Sequence, residues 1–327
     1  MSAPVLLPNP PTLIHRLPPV ARGILASVLL GANTALHFSA LLPLTIIKLL
    51  LPFLSVQRTI EQWLIYVSES WTEGNNAWQR LTQPTRWEVE GMACLQRQGW
   101  YLVTSNHQSW VDILAMQRIV NRRAPMLKFF LKHELIYVPI MGLCWWALDF
   151  PFMKRYSKEY LAKHPEKRGQ DKESTRRACE KFSRTPTSVV NFLEGTRFTP
   201  KKHAQQQSPY RHLLKPKSGG IALAINVLGD QFHSLLDFTI AYPNGIPGFW
   251  EFMCGKVPAI QVHIREVPIP AELHCGDYEH DPAFRERFQT WVNQIWEEKD
   301  QRLDQMLEGQ SGIALRPSMA ASFSEVP

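Results

Sequence analysis

Two short apolar segments, each ending in a polar loop, constrain the fold of this chain more than any other feature. Residues 101–103 (Tyr-Leu-Val) run into Thr-Ser-Asn-His, and residues 189–193 (Val-Val-Asn-Phe-Leu) run into Glu-Gly-Thr-Arg. Short apolar runs bounded by turn residues are typical of buried strands, and residues 113–120 suit a crossover helix after the first strand. The pattern predicts an α/β fold with a mixed, largely parallel sheet flanked by helices.

A histidine and an aspartate lie on either side of the first strand-to-helix turn. His107 stands at the strand exit, Ser109 suits a helix N-cap, and Asp112 falls in the first turn of the helix, where a carboxylate is favoured. A carboxylate there holds the imidazole in one tautomer and leaves the other ring nitrogen free to take a proton from a hydroxyl. The alternative is a surface-loop histidine and an ordinary helix-start aspartate, because the two residue types often meet at this spacing by chance.

The second loop carries residues suited to an anionic ligand. Gly195 permits a tight turn, and Arg197 supplies a planar guanidinium that matches phosphate. Both loops leave the carboxyl ends of apolar strands, and ligands gather at that edge of an open α/β sheet. The sequence therefore predicts one site shared by the two loops.

Together these motifs resemble those of the glycerolipid acyltransferase family, typified by 1-acylglycerol-3-phosphate acyltransferases. The similar segments are residues 106–112 (Asn-His-Gln-Ser-Trp-Val-Asp), 132–139 (Lys-His-Glu-Leu-Ile-Tyr-Val-Pro) and 192–197 (Phe-Leu-Glu-Gly-Thr-Arg). Leu193 stands where many members have proline, and Ile-Ala-Tyr-Pro at residues 240–243 stands where many have a Val-Pro-Val type of segment. Both departures resemble a sub-branch that includes lysocardiolipin and longer lysophosphatidate acyltransferases.

The resemblance implies an O-acyltransferase that needs no cofactor and no metal ion. His107, oriented by Asp112, is expected to deprotonate the hydroxyl of a lysolipid, which attacks the thioester of acyl-CoA or acyl carrier protein. The expected acceptor is 1-acylglycerol-3-phosphate, giving phosphatidic acid, with lysocardiolipin or lysophosphatidylglycerol as alternatives. The predicted substrate-binding residues are Asn106, Lys132, Arg155, Glu194, Gly195, Thr196 and Arg197.

Individual roles follow from the chemistry of these side chains. Arg197, with Lys132 and Arg155, is expected to hold the acceptor phosphate, and backbone amides of residues 106–109 are expected to stabilise the oxyanion. Glu194 has two interpretations, a ligand of the glycerol hydroxyls or an ion-pair partner that fixes Arg197. The second is favoured because an unpaired acidic group repels an incoming phosphate.

Composition limits the partners that the chain can have. A length of 327 residues with 45% hydrophobic residues is enough for one large α/β domain and a short appendage. A net charge of +7 favours phosphate-bearing substrates or acidic lipid headgroups, while the absence of any recognised module argues against nucleic acid. The five cysteines form no close pair, so neither a zinc site nor a disulfide framework is predicted.

The N-terminal region is long and apolar enough for a membrane-embedded helical segment. Residues 24–47 contain no charged residue, and Arg22 and Lys48 bracket them. The middle is too polar for lipid unless the helix kinks, turns back or packs on protein, because it contains Asn33, Thr34, His37 and Pro43. We expect a retained anchor, either a spanning helix or a kinked hairpin in one leaflet.

Residues 55–81 predict an amphipathic helix whose apolar face suits a membrane interface and a protein core equally well. The expected organisation is an anchor with this helix in residues 1–83, an acyltransferase domain in residues 84–309 and a disordered tail in residues 310–327. More lysine and arginine residues follow the apolar stretch than precede it. We therefore expect the bacterial inner membrane, with the domain on the cytoplasmic face.

Other predictions concern elements outside the motifs. Strands are predicted at residues 126–130 and 235–242, edge strands at 86–90 and 260–264, and helices at 171–182, 221–227 and 283–307. Residues 1–19 are predicted to be irregular. Two rival functions stay open: a metal hydrolase using His107, Asp112 and His133, and a non-catalytic phospholipid-binding protein of the membrane surface.

Overall fold

The computed structural model describes residues 4–51, 53–153, 185–274, 276–278 and 280–308. The strands are β1 (Val5–Leu7), β2 (Arg86–Glu90), β3 (Trp100–Ser105), β4 (Leu127–Phe129), β5 (Leu131–Lys132), β6 (Phe152–Met153), β7 (Ser188–Asn191), β8 (Phe232–Ala241) and β9 (Ala259–Val267). The helices are α1 (Pro19–Leu50), α2 (Leu54–Thr82), α3 (Val111–Val120), α4 (Met141–Ala147), α5 (Pro200–Gln206), α6 (Gly219–Leu228), α7 (Phe249–Met253) and α8 (Pro282–Glu308). Arg155, the predicted helix at residues 171–182 and the predicted tail at 310–327 lie outside the described residues.

One seven-stranded sheet forms the centre of the molecule, in the order β1-β2-β9-β8-β3-β7-β4. Strands β8, β3, β7 and β4 are parallel to one another. Strand β9 runs antiparallel to β8 and pairs in parallel with β2, and β5 pairs with β6 in a separate small sheet. The predicted mixed, largely parallel sheet flanked by helices is therefore confirmed.

Two predictions about the sheet edge are wrong. Strand β2 lies between β1 and β9, because Val5–Leu7, predicted to be irregular, adds an antiparallel strand outside it. Strand β9 is also interior. Its sequence alternates because Ile260, Val262 and Ile264 are buried in the core while the residues between them are half-buried. The alternation therefore reflects a difference in burial between the two faces of the sheet and does not mark an edge strand.

Neighbouring residues of the central strands pack into separate cores on the two faces of the sheet. Val103 and Val190 lie in the core that α3 covers, whereas Leu102 and Val189 lie in the core that α6 and α8 cover. Strands buried on both faces need continuous apolar runs, which is why these segments of the sequence are so uniform. The polar residues that follow them are left at the carboxyl edge of the sheet.

Helices α1 and α2 pack against each other, and the polar residues of α1 face α2. Asn33 Nδ2 donates to the carbonyl of Trp71 at 2.9 Å, and Trp71 Nε1 donates to Thr34 Oγ1 at 3.2 Å. His37 Nδ1 lies 2.9 Å from the carbonyl of Asn33, and its Nε2 lies 3.1 Å from Ser70 Oγ. The polar stripe that makes α1 unsuited to lipid is thereby satisfied by protein.

Both ends of α1 also contact the α/β domain. Near its start, a Cβ atom on Gly23 would lie 2.7 Å from Cys254 Sγ, so the helix passes directly over this part of the domain. Near its end, Lys48 Nζ lies 2.5 Å from Asp149 Oδ2 and 3.7 Å from Glu61 Oε1. Helix α1 continues through Pro43 without interruption. Because both of its ends contact the domain, the helix lies along it.

Candidate active site

The turn between β3 and α3 brings His107 and Asp112 into direct contact. His107 Nδ1 lies 2.9 Å from Asp112 Oδ2, and the aspartate side chain is fully buried while 13% of the histidine side chain is exposed. Because a carboxylate only accepts, the proton of the neutral imidazole belongs on Nδ1. Among the described residues nothing hydrogen-bonds Nε2, which leaves this nitrogen available to a substrate hydroxyl.

Asp112 also organises the backbone of the turn. Its Oδ2 accepts hydrogen bonds from the amides of Gln108 at 2.7 Å and Ser109 at 2.9 Å. The amide of His107 donates instead to Glu194 Oε1 at 2.7 Å. The expectation that this turn supplies the oxyanion donors is therefore wrong for these three amides, because carboxylates already occupy them.

Glu194 is a buried structural acceptor in this protein. Its side chain is fully buried, with Oε1 on the His107 amide and Oε2 on the amide of Leu214 at 3.0 Å. Burial is the main cause that raises the pKa of Glu194, to about 8. The expected ion pair with Arg197 is not formed, and no oxygen of this carboxylate is exposed to a glycerol hydroxyl.

Helix α8 supports the other side of Glu194. Trp296 Nε1 donates to the carbonyl of Leu214 at 3.0 Å, and Asp300 accepts from the amides of Arg211 at 2.7 Å and His212 at 2.8 Å. These contacts fix the segment that donates to Glu194 Oε2. The position of the His107 backbone therefore depends on a helix that is far from it in sequence.

Gly195 and Thr196 bring two lysines to the second loop. Gly195 has a φ of 66°, a left-handed conformation that favours glycine, and a Cβ there would lie 3.4 Å from Lys217 Nζ. Lys202 Nζ donates to Thr196 Oγ1 at 2.7 Å and to the carbonyl of Arg197 at 3.0 Å. Neither lysine was predicted as a binding residue, although both belong to the basic segment that follows the motif.

Arg197 joins this loop to the histidine loop. Its guanidinium carbon lies 4.9 Å from the ring centre of Trp110, and both side chains are exposed. The amide of Phe198 donates to the carbonyl of His107 at 2.7 Å. The two loops predicted to share one site are thus in contact, and three cationic side chains gather at the second loop.

An aromatic stack covers one face of the imidazole. The rings of His107 and Phe192 are parallel within 17°, with centroids 4.1 Å apart, and Phe129 extends the stack at 6.0 Å from Phe192. Phe129 in turn packs against an apolar cluster formed by α1, α2 and α4. Phe192 lies within the motif, but its contact with His107 was not predicted.

Asn106 has a structural role that its position beside His107 did not predict. Asn106 is fully buried, and its side chain donates to the carbonyl and accepts from the amide of Ile240, at 2.8 and 2.9 Å. Lys132 is exposed on β5, and within the described ranges it forms no hydrogen bond or ion pair with His107 or Arg197. Arg155 is outside the described residues. Asn106 therefore clamps β3 to β8, a role for which both atoms of its amide are needed.

The described part of the chain contains no group of three His, Cys, Asp or Glu residues placed to hold a metal ion. The site combines a histidine–aspartate pair, a free Nε2 and a cationic loop at the carboxyl edge of parallel strands. Such an arrangement defines a class of transferase in which the histidine activates a hydroxyl of the substrate.

Comparison with known proteins agrees with this class. Residues 86–243 match the model of the family described as Acyltransferase. The 1-acyl-sn-glycerol-3-phosphate acyltransferase delta of Mus musculus is 25% identical over 212 residues, which are 61% of this chain and 51% of that protein. Lysocardiolipin acyltransferase 1 of Gallus gallus is 25% identical over 224 residues, 64% of this chain and 54% of that protein.

The fold has a counterpart of known structure. The 1-acyl-sn-glycerophosphate acyltransferase PlsC of Thermotoga maritima aligns over 92% of this chain and 99% of its own length, with a TM-score of 0.50 and 17% identity. At this identity the likeness concerns the fold alone. The chain spans about half the length of the curated relatives that it matches.

Proposed function

We propose that this protein transfers a fatty acyl group from acyl-CoA or acyl carrier protein to the free hydroxyl of 1-acylglycerol-3-phosphate, giving phosphatidic acid. The observation that carries the proposal is the 2.9 Å contact between His107 and Asp112 beside a cationic loop, with Nε2 unoccupied. The donor and the acceptor are inferred from the chemistry of the site and from the names of the relatives. Neither a resident metal ion nor another cofactor is part of the proposal.

The proposed reaction is a direct transfer. His107 Nε2 takes the proton of the acceptor hydroxyl, and the oxygen attacks the thioester carbonyl carbon. The tetrahedral intermediate collapses as the carbon–sulfur bond breaks, and the imidazolium returns the proton to the thiolate. Asp112 holds the imidazole and its positive charge through Nδ1, and acid–base catalysis of this kind typically contributes about a hundredfold or more.

The acceptor phosphate is proposed to bind among Arg197, Lys202 and Lys217. Lys202 and Lys217 gather around the Gly195–Thr196 turn, and Arg197 projects from the same loop over Trp110. Arginine offers a bidentate fork, and the lysines add charge, so the three together suit a phosphomonoester better than a neutral headgroup. Lys132 is exposed on β5 and is not needed in the proposed phosphate site.

Lysocardiolipin is an alternative acceptor, because a lysocardiolipin acyltransferase is among the similar proteins. Lysocardiolipin and lysophosphatidylglycerol carry phosphodiesters, and each phosphodiester presents less charge to the three cations than a phosphomonoester does. We therefore favour 1-acylglycerol-3-phosphate, with these lysolipids as the alternative acceptors.

We propose that the protein attaches to one leaflet of a membrane through α1. Among the described residues, α1 is the helix whose length and composition would allow a span. Both of its ends contact the α/β domain through Gly23 and Lys48, which favours a helix lying along one leaflet over one that crosses. Its exposed apolar side chains include Val20, Ile24, Val28, Leu36, Ile46, Ile47, Leu49 and Leu50.

The charge of the chain also bears on localisation. Arg22 is buried and Lys48 is paired with Asp149, so neither is offered to lipid. The net charge of +7 favours the anionic lipid on the cytoplasmic face of a bacterial inner membrane, and we propose that the domain lies there.

The proposal is tested with purified protein, one labelled acyl-CoA and a panel of lysolipids presented in the same mixed micelles. We expect fastest transfer to 1-acylglycerol-3-phosphate and slower transfer to lysophosphatidylglycerol and lysocardiolipin. Transfer by His107→Ala should be slower than by wild type by about a hundredfold or more. Preference for either phosphodiester would move the assignment to the alternative acceptor. Lipid binding without turnover on any acceptor, with acyl-CoA and with acyl carrier protein, would instead support a non-catalytic phospholipid-binding protein.

A further inference from the structure

Tyr242 is the residue immediately after β8, and its hydroxyl reaches the carboxylate beside the histidine. Its Oη donates to Asp112 Oδ1 at 2.5 Å, across 130 positions of sequence. Tyr242 is 4% exposed and Asp112 is fully buried. The contact therefore joins the end of β8 to the first turn of α3 in a region that solvent does not reach.

The two oxygens of Asp112 have different partners. Oδ2 receives the Nδ1 proton of His107 together with the amides of Gln108 and Ser109. Within the described part of the chain, Tyr242 is the donor that reaches Oδ1. Removing the hydroxyl leaves a buried carboxylate oxygen without a donor, which weakens the restraint on the plane of the carboxylate.

Packing alone does not explain this hydroxyl. The ring of Tyr242 belongs to the core that α3 covers, and a phenylalanine would fill that space equally well. Burial and the neighbouring Asp112 raise the pKa of Tyr242 well above its usual value, so the hydroxyl stays protonated and donates. By contrast, the buried hydroxyl of Tyr101 has no hydrogen-bond partner among the described residues and shows that such a group can be purely structural.

We propose that Tyr242 is a positioning residue for acyl transfer, the outer member of a Tyr242–Asp112–His107 relay of hydrogen bonds. It fixes the carboxylate plane so that Oδ2 points at Nδ1 and Nε2 points at the acceptor. The inference rests on the proposed role of His107 as the base. Tyr242 acts through Asp112 and has no contact with the substrate.

The test compares Tyr242→Phe with Tyr101→Phe, which removes a buried hydroxyl from the same core outside the relay. We expect kcat of Tyr242→Phe to fall about tenfold, because a charge-assisted hydrogen bond that preorganises the base is lost, while both KM values stay within about twofold. The acid limb of the pH–rate profile should move toward higher pH, since a carboxylate with fewer donors holds the proton on the imidazole more firmly. Tyr101→Phe should leave kcat and this limb unchanged.

Thermal unfolding of both variants is recorded first, and the assays are run well below the melting temperatures. The activities compared are then those of folded proteins. A kcat within twofold of wild type, an unmoved acid limb, or an equal loss in Tyr101→Phe would overturn the inference. The His107→Ala variant distinguishes failure of this inference from failure of the proposed mechanism. If it is inactive and Tyr242→Phe is normal, this inference alone fails, whereas an active His107→Ala removes the proposed mechanism itself.

Discussion

The main-chain nitrogen of His107 donates a 2.7 Å hydrogen bond to Glu194 Oε1. The carboxylate thus receives the backbone of one motif loop, while its other oxygen receives the amide of Leu214. A glutamate in this place positions the histidine through its main chain, and the proposed mechanism leaves the acceptor phosphate to the cations of the same loop. The acidic residue and the basic residue of the motif therefore serve different partners.

The first prediction concerns Glu194→Gln. Glutamine keeps the shape but has one acceptor and one donor, so one of the two amides faces an NH2 group instead of an oxygen. We expect the free energy of unfolding to fall by about 1–3 kcal/mol and kcat to fall with little change in either KM. Urea unfolding and steady-state kinetics measure both effects.

Glu272→Gln, on a 3-10 turn whose start is exposed, is the matched control and should leave both quantities unchanged. A Glu194→Gln variant with normal kcat and a large rise in the acceptor KM would show instead that the carboxylate binds the glycerol hydroxyls.

The second prediction uses the pKa of Glu194, which burial raises from 4.5 to about 8. A carboxyl whose pKa is higher in the folded state binds more protons there, so its contribution to stability is present below about pH 4.5 and is lost as the pH rises through 8. The unfolding free energy of wild type should therefore fall between pH 5 and about pH 8.5, relative to Glu194→Gln, which lacks this proton. Parallel melts at several pH values measure the difference; parallel curves for the two proteins would contradict the raised pKa.

The third prediction addresses the histidine–aspartate pair. His107→Ala should lower kcat by about a hundredfold or more, because the proton-transfer group is lost. Asp112→Asn should also be severe, because an amide can orient the imidazole in the wrong tautomer and place a donor against the amides of Gln108 and Ser109. His280→Ala, which removes a side chain that is 76% exposed, is the control. Activity of His107→Ala within a few-fold of wild type would exclude His107 as the base.

Much of this arrangement follows from the sequence, because it depends on local patterns. Continuous apolar runs predicted the parallel strands, which are buried on both faces of the sheet. The strand-to-helix turn likewise predicted the contact between His107 and Asp112. The partners of Glu194 were not accessible in the same way. Leu214 and the α8 residues that hold it approach through tertiary packing, and no periodicity in the sequence records that approach.

Burial is the second reason for the difference. The expected ion pair of Glu194 with Arg197 assumed that adjacent charges in one motif face the same solvent, yet Glu194 is buried and Arg197 is exposed on Trp110. Similarly, Asn106 looked like a binding residue because of its place beside His107, but both of its amide atoms are used by Ile240. Strand β1 escaped prediction because three residues are too few for a recognisable alternation.

The fourth prediction concerns the attachment of α1 to lipid. Ile24→Asp and Val28→Asp place charges on exposed apolar positions of α1, 55% and 60% exposed, and should lower binding to vesicles of phosphatidylethanolamine and phosphatidylglycerol. Each apolar side chain withdrawn from lipid should reduce the partition coefficient about tenfold or more. Sedimentation with vesicles measures it. Leu13→Asp, exposed but outside α1, is the control, and undiminished binding of the α1 variants would place the attachment elsewhere.

The last prediction separates the acceptor from the donor at the cationic loop. Arg197→Lys keeps the charge but loses the bidentate fork, so the KM for 1-acylglycerol-3-phosphate should rise about tenfold while the KM for acyl-CoA changes little. Initial rates with each substrate varied in turn give both constants. Arg211→Lys, whose guanidinium pairs with Asp304 on α8, is the matched control and should leave both KM values unchanged.

A neutral acceptor makes the same comparison sharper. Monoacylglycerol lacks the phosphate, so wild type should use it poorly, and Arg197→Lys should use it as well as wild type does. Lys202→Ala should also raise the acceptor KM, since its ammonium bridges Thr196 and the carbonyl of Arg197 and thereby holds the loop. If Arg197→Lys raises the acyl-CoA KM and spares the lysolipid, the guanidinium binds the phosphates of the donor, and the acceptor headgroup must be held by other groups.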